Sequence, residues 1–158
     1  MVSKLKTIIA YHSYSGNTKE IAKHLEKNLK DKQAEVIMHR IGVDSPIQRD
    51  TFDILLLGTF TWEYGEVPDE VKDFIIEVGY KPENVAIFGS GDTQFGGDDI
   101  FCLAVDKLAK FYNSPWSGLK IEQSPRGVQE EKIDNWMKEV IKDGKINSSK
   151  NIGANISK

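Results

Sequence analysis

Three short segments carry residue types able to bind a ligand. Ser13-Tyr14-Ser15-Gly16-Asn17-Thr18 offers hydroxyls from Ser13, Ser15 and Thr18, an amide from Asn17, and successive backbone N–H groups ahead of a helical stretch. Such a segment cradles an anion. It lacks the GK[ST] ending of a nucleoside-triphosphate loop and the G-x-G-x-x-G of dinucleotide folds. Neutral donors alone point to a terminal monophosphate held without a metal. The second segment, Thr59-Phe60-Thr61-Trp62-Glu63-Tyr64-Gly65-Glu66-Val67-Pro68, has three aromatics in five residues, a stacking surface for a planar ring. The third, Gly89-Ser90-Gly91-Asp92-Thr93-Gln94-Phe95-Gly96-Gly97-Asp98-Asp99, contains four glycines. These let the backbone approach a ligand and read a ring edge, with Phe95 over the second face. Each segment also has a plainer structural reading. The first serves as a helix cap, the aromatics cover the sheet edge, and Cys102 is a small buried hydrophobe at a helix start.

The elements that must position these segments follow from the hydrophobic pattern. Strands are expected at Leu5–Tyr11, Val36–Ile41, Asp53–Gly58, Val85–Phe88 and Leu119–Glu122. A first helix from Thr18 turns Ile21, Ala22, Leu25 and Leu29 inward. A second from Pro68 turns Val71, Phe74, Ile75 and Val78 inward and stops at Gly79. A third from about Asp99 buries Ile100, Leu103, Ala104, Leu108 and Phe111. The fourth, Val128–Lys142, buries Ile133, Trp136, Met137, Val140 and Ile141 and ends at Gly144. Residues 1–144 therefore read as one domain, and 145–158, rich in Asn, Ser and Lys, as a flexible tail. Strands alternating with helices imply a parallel sheet covered on both faces. Its ligand lies beyond the carboxyl ends of the strands, where the strand order reverses. The three unusual segments follow the first, third and fourth strands and must meet there.

Composition narrows the function classes. The chain has 158 residues, 39% hydrophobic and 28% charged, an ordinary globular mixture. Its longest apolar runs, such as Ile54-Leu55-Leu56-Leu57, fall far short of the roughly 20 residues that cross a bilayer. The N-terminus reads as a strand and not a signal peptide. A single cysteine excludes an intrachain disulfide, so the expected location is the cytoplasm. The net charge of −3 is unevenly spread. Between Phe60 and Ile100, ten acidic residues stand against Lys72 and Lys81, a local charge of −8, while the other 117 residues carry +5. No concentrated basic face for nucleic acid is visible. His12, at the end of the first strand, reads first as a plain loop histidine, with a place near the phosphate as the alternative, and His24 and His39 read as surface residues.

Taken together, the three segments resemble those of the flavodoxin family. Ser13-Tyr14-Ser15-Gly16-Asn17-Thr18 resembles its FMN phosphate loop, and Thr59-Phe60-Thr61-Trp62 the loop whose aromatic packs on the flavin. Gly89-Ser90-Gly91-Asp92, followed by Phe101-Cys102-Leu103-Ala104-Val105-Asp106, resembles its second flavin loop and helix. The likeness runs in order from Leu5 to about Lys142. With no long insertion in the last strand, it is to the short-chain type. The resemblance implies a three-layer α/β sandwich with five parallel strands in the order 2-1-3-4-5. It further implies tightly but non-covalently bound FMN, and a low-potential electron carrier working between a reductase and acceptor proteins, not an enzyme. By the same likeness the cofactor-binding residues are Ser13 to Thr18, Thr59 to Gly65, Ser90, Gly91, Asp92, Phe95, Gly96, Phe101 and Cys102, with no metal. The acids Glu63, Glu66, Asp69, Asp92, Asp98 and Asp99 rim the expected flavin edge and would steer basic-faced redox partners. A monomer is expected.

The chain departs from the family pattern in one informative place. Flavodoxins usually have Gly-Asp-Gly after the stacking aromatic, and here Glu63-Tyr64-Gly65 stands instead. A residue with a Cβ resists positive φ by about 1 kcal/mol or more, so the one-electron-reduced flavin should be less stabilised than usual. Gly96-Gly97-Asp98 lengthens the third segment, leaving either Phe95 or Tyr64 to cover the second flavin face. Two alternatives share the fold. Phe60-Thr61-Trp62-Glu63-Tyr64-Gly65-Glu66-Val67-Pro68 and Tyr112-Asn113-Ser114-Pro115 also resemble the flavodoxin-like activators of class Ib ribonucleotide reductase. An FMN-dependent NAD(P)H:quinone reductase would need longer loops. A phosphorylated receiver would need acidic residues where His12-Ser13 and Gly58-Thr59 stand.

Overall fold

The computed structural model describes residues 5–13, 16–47, 51–61, 66–91, 102–122, 125 and 127–156, with side chains as far as Asp143. The element order is β1 (Lys6–Tyr11), α1 (Asn17–Asp31), β2 (Glu35–Arg40), β3 (Ile54–Phe60), α2 (Asp69–Val78), β4 (Val85–Gly91), α3 (Leu103–Tyr112), β5 (Leu119–Glu122) and α4 (Val128–Ile156). The strands are all parallel, in the order β2-β1-β3-β4-β5. This is the doubly wound architecture expected from the alternating pattern.

Successive strand residues point to opposite faces, and the two cores divide on that rule. Ile9, Tyr11, Ile54, Leu56, Ala86, Phe88, Leu119 and Ile121 pack under α1 and α4. Ile8, Ala10, Leu55, Leu57, Val85 and Ile87 pack under α2 and α3. The central strands are buried on both sides, which is why they read as unbroken apolar runs. Ile21, Ala22, Leu25 and Leu29 on α1, and Ile133, Trp136, Met137, Val140 and Ile141 on α4, are all buried as the spacing predicts. Gly79 closes α2 in the left-handed conformation, φ +79°.

Four sequence expectations are corrected. Gly89-Ser90-Gly91 belongs to β4, paired with Thr59 and Phe60 on one side and Lys120 to Glu122 on the other. The missing side chain at Gly89 reflects close packing: an added Cβ would lie 2.5 Å from Val105 Cγ2 and 2.6 Å from the Thr59 carbonyl oxygen. On α3 the inward face is Ala104, Val105, Leu108 and Tyr112, while Phe111 is exposed. One residue along a helix is a 100° turn, and Phe111 instead meets the Tyr112 ring edge-on at 4.9 Å and receives the Lys81 ammonium at 3.9 Å. His39 is buried on β2 beside Phe74 of α2, 5.5 Å between ring centroids, and is not a surface residue. Finally, α4 continues past Gly144 to Ile156. An interior glycine costs a helix about 1 kcal/mol but removes no hydrogen bond. No helix among the described residues is long and apolar enough to cross a membrane.

Candidate functional site

β1 delivers the first segment to the carboxyl edge of the sheet. The His12 N–H donates to the Gly58 carbonyl at 3.1 Å, fixing the exit of β1 against β3. The chain then turns into α1 around Ser13, whose Oγ accepts from the N–H groups of Gly16 at 3.1 Å and Lys19 at 3.3 Å. Gly16 precedes α1 at φ +96°, a conformation that a Cβ would strain. Gly16, at the N-cap position, has no side chain to cap the helix, and among the described residues nothing accepts from the N–H groups of Asn17 and Thr18. Open first-turn donors at the positive end of a helix fit a phosphate.

A buried hydroxyl network joins this segment to the other two. Thr18, Thr59 and Ser90 are all buried. Thr18 Oγ1 donates to the Thr59 carbonyl at 3.4 Å and lies 2.7 Å from Ser90 Oγ. With its one proton given to Thr59, Thr18 accepts from Ser90. Thr59 Oγ1 in turn donates to the Phe60 carbonyl at 2.8 Å. The starts of α1 and the ends of β3 and β4 are therefore held in one register by polar contacts shielded from water, which bind more strongly there than on the surface. The crevice so framed is where β1 and β3 part, the reversal point of the sheet.

The far side of the crevice is set by α3. Its N-terminal Ala104 N–H donates to Thr61 Oγ1 at 3.2 Å, so the Thr61 hydroxyl anchors β3 to α3. Cys102 stands before α3 at φ +51°, fully buried, with Sγ 3.8 Å from the Gly89 carbonyl. Burial pushes its thiol up to about 12. The side chain thus belongs to the core, as the plainer reading has it. Phe60 is partly exposed at the end of β3. His12 lies against it, 5.3 Å between ring centroids, and places Nε2 3.4 Å from Glu70 Oε2 of α2.

Of the expected cofactor-binding residues, Ser13, Gly16, Asn17, Thr18, Thr59, Phe60, Thr61, Ser90 and Gly91 converge on this edge of the sheet. Tyr14, Ser15, Trp62, Glu63, Tyr64, Gly65, Asp92, Phe95, Gly96 and Phe101 lie outside the described residues. Glu70 is the neighbour that sequence reasoning missed. Nothing local announces it, because its partner is 58 positions earlier in the chain. On the rim, Glu66 is exposed, with one oxygen 3.9 Å from Lys72 and the other 3.9 Å from Lys107.

Comparison with known proteins agrees with this arrangement. The flavodoxin family profile matches residues 9–114. Probable flavodoxin 2 of Bacillus subtilis (strain 168) is 34% identical over 146 residues, covering 87% of this chain and 95% of the relative. Flavodoxin 1 of Escherichia coli (strain K12) is 40% identical over 105 residues, covering 65% of this chain and 58% of the relative. The crystal structure of oxidised flavodoxin 2 from Bacillus cereus superposes with a TM-score of 0.75 at 31% identity, covering 87% of this chain and 99% of that one. On the phosphate-compatible helix start, the sheet order and these likenesses, the chain belongs to the flavodoxin family, whose members bind FMN and carry electrons without being enzymes.

Proposed function

We propose that the chain carries electrons at low potential between a reductase and acceptor proteins, through FMN held by the three segments at the β1–β3 crevice. A sheet of this order takes its ligand at that reversal point, flavodoxins being the familiar case. The observation that carries the reading is the Thr18–Thr59–Ser90 network, which brings together the segments named from sequence. On this reading, the open N–H groups of Asn17 and Thr18, with Ser13, Tyr14, Ser15 and Gly16 around them, hold the phosphate. Phe60, Trp62, Glu63, Tyr64 and Gly65 continue from Thr59 and Thr61 along one flavin face. Ser90, Gly91, Asp92, Phe95, Gly96, Phe101 and the Cys102 backbone border the ring edge. FMN supplies the electron-accepting ring, and the protein supplies orientation, exclusion of water and an acidic rim.

The rim argues for partners with basic faces. Glu66 and the exposed first-turn acids Asp69 and Glu70 share it, and like charge on the carrier speeds encounter with an oppositely charged partner. A cytoplasmic, monomeric carrier of which residues 1–144 form the working domain suits the single buried thiol and the absence of a membrane-crossing helix among the described residues.

An anaerobic reductive titration followed by absorbance tests the reading. A flavin spectrum with a long-wavelength band at half-reduction is expected of a one-electron carrier. A direct passage to the two-electron form would favour the ribonucleotide reductase activator or a quinone reductase. A colourless protein that takes up no FMN would overturn all three.

A further inference from the structure

Helix α3 begins without a cap of its own. The residue before it, Cys102, sits at φ +51° and makes no side-chain hydrogen bond to the helix. A capping side chain reaches the second or third N–H of a helix from an extended backbone, which a left-handed residue does not offer. The Cys102 thiol is instead turned into the core, 3.8 Å from the Gly89 carbonyl oxygen. The Val105 N–H donates to the Cys102 carbonyl at 2.9 Å, and the Ala104 N–H donates to Thr61 Oγ1 at 3.2 Å. Ala104 is the second residue of α3. Thr61 therefore supplies, from 43 positions away, the hydrogen bond that an N-cap side chain ordinarily gives.

The place of this cap in the fold gives it a further use. Thr61 directly follows Phe60, the last residue of β3, and leads into residues 62–65. Ala104 stands two residues after Cys102, where the segment from β4 enters α3. The contact thus closes the bases of the two segments that the FMN reading sets beside the ring. The Thr18 network ties the ends of β3 and β4 to α1 on one face of the sheet. The Thr61 cap ties β3 to α3 on the other.

We propose that Thr61 is a positioning residue of the site, whose capping of α3 and the binding of FMN strengthen each other. The proposal rests on the FMN-carrier reading. A ligand held between two segments restricts both, and so favours the register in which Thr61 meets Ala104. The cap, once made, removes freedom that ligand binding would otherwise have to remove. The coupling is reciprocal: the factor by which FMN favours the closed cap is the factor by which the cap favours FMN. A cap that served the fold alone would add the same stability with and without FMN, and would leave FMN affinity unchanged.

The test uses the full chain with and without FMN. FMN affinity is measured by quenching of flavin fluorescence in the parent, Thr61→Val and Thr61→Ser, and exchange of the Ala104 N–H with deuterated solvent is followed by NMR. Thr61→Val keeps the shape and removes the acceptor, so FMN should bind about fivefold more weakly, which is what loss of a typical cap amounts to. Thr61→Ser keeps the hydroxyl and should bind within about twofold of the parent. In the parent, FMN should slow exchange at Ala104 more than at Asn113, whose N–H closes the opposite end of α3 on the Lys110 carbonyl. In Thr61→Val that difference should vanish. Parent-like FMN affinity in Thr61→Val, or equal slowing at Ala104 and Asn113 in the parent, would overturn the proposal and leave the FMN reading standing. A parent chain that takes up no FMN would overturn both. If Thr61→Val does not fold, the exchange measurement on the parent still decides.

Discussion

The residue that most repays a single substitution is Thr18. Its hydroxyl meets the Thr59 carbonyl and Ser90 Oγ inside the protein, and removing it leaves both without that partner. An unpartnered buried polar group costs about 1–3 kcal/mol. Thr18→Val, nearly the same shape, should therefore lower stability by about 1–2 kcal/mol in denaturant titration and weaken FMN binding measured by fluorescence quenching. Cys102 makes the opposite case. A thiol raised to about 12 is ionised only about one part in ten thousand at pH 8, and the thiolate is the nucleophile. Iodoacetamide should leave the native chain unlabelled and modify one site per chain in denaturant, read by mass spectrometry.

At the scale of elements, the close approach of β4 to α3 and β3 is decisive. Gly89 sits where a Cβ would press on Val105 and on the Thr59 carbonyl. The backbone atom cannot rotate away as a side chain could. Gly89→Ala should destabilise by about 1–3 kcal/mol and, by parting β3 from β4 beside Ser90, reduce FMN affinity as well. Calorimetry with and without FMN separates the two effects. The sequence marks this position as glycine-rich but attributes it to loop freedom. Its packing role arises only once Val105, 16 positions later, is folded across it. The alternating inward faces of the strands, by contrast, are legible at once, because period-two burial needs no knowledge of the partners.

For the whole molecule, burial of His39 between β2 and α2 ties stability to pH. Burial lowers its proton affinity, with Asp44 and Glu77 opposing. The unfolded chain then binds a proton more readily than the native one below about 6.5, the ordinary histidine value. Its stabilising contribution is present above that pH and is lost as pH falls from about 6.5 through the lower native value. Thermal midpoints should decline over that window, and less steeply in His39→Gln. The carboxylates with lowered values, Asp134 beside His24 and Asn28 and Asp44 beside Arg40, act further down, below about pH 4. Among the described side chains of α4 the last buried ones are Val140 and Ile141, and Asp143 accepts from Trp116 Nε1 at 3.1 Å. A chain ended after Gly144 should accordingly keep its FMN affinity and lose little stability, checked by fluorescence titration and thermal unfolding.

The sequence by itself determined the class of fold, because alternating apolar strands and amphipathic helices admit few arrangements other than a covered parallel sheet. It also marked Ser13 to Thr18, Thr59 to Gly65 and Gly89 to Cys102 as unusual, since a hydroxyl-rich turn, clustered loop aromatics and repeated glycine are each costly without a purpose. Tertiary structure alone decided which of those atoms meet. Thr18 and Ser90 are 72 positions apart and His12 and Glu70 58 apart, and contacts at such separation follow from strand order and not from local pattern. The same holds for His39 and Phe111. Their exposure depends on a one-residue rotation or a neighbouring helix, which hydrophobic spacing within a single element does not encode.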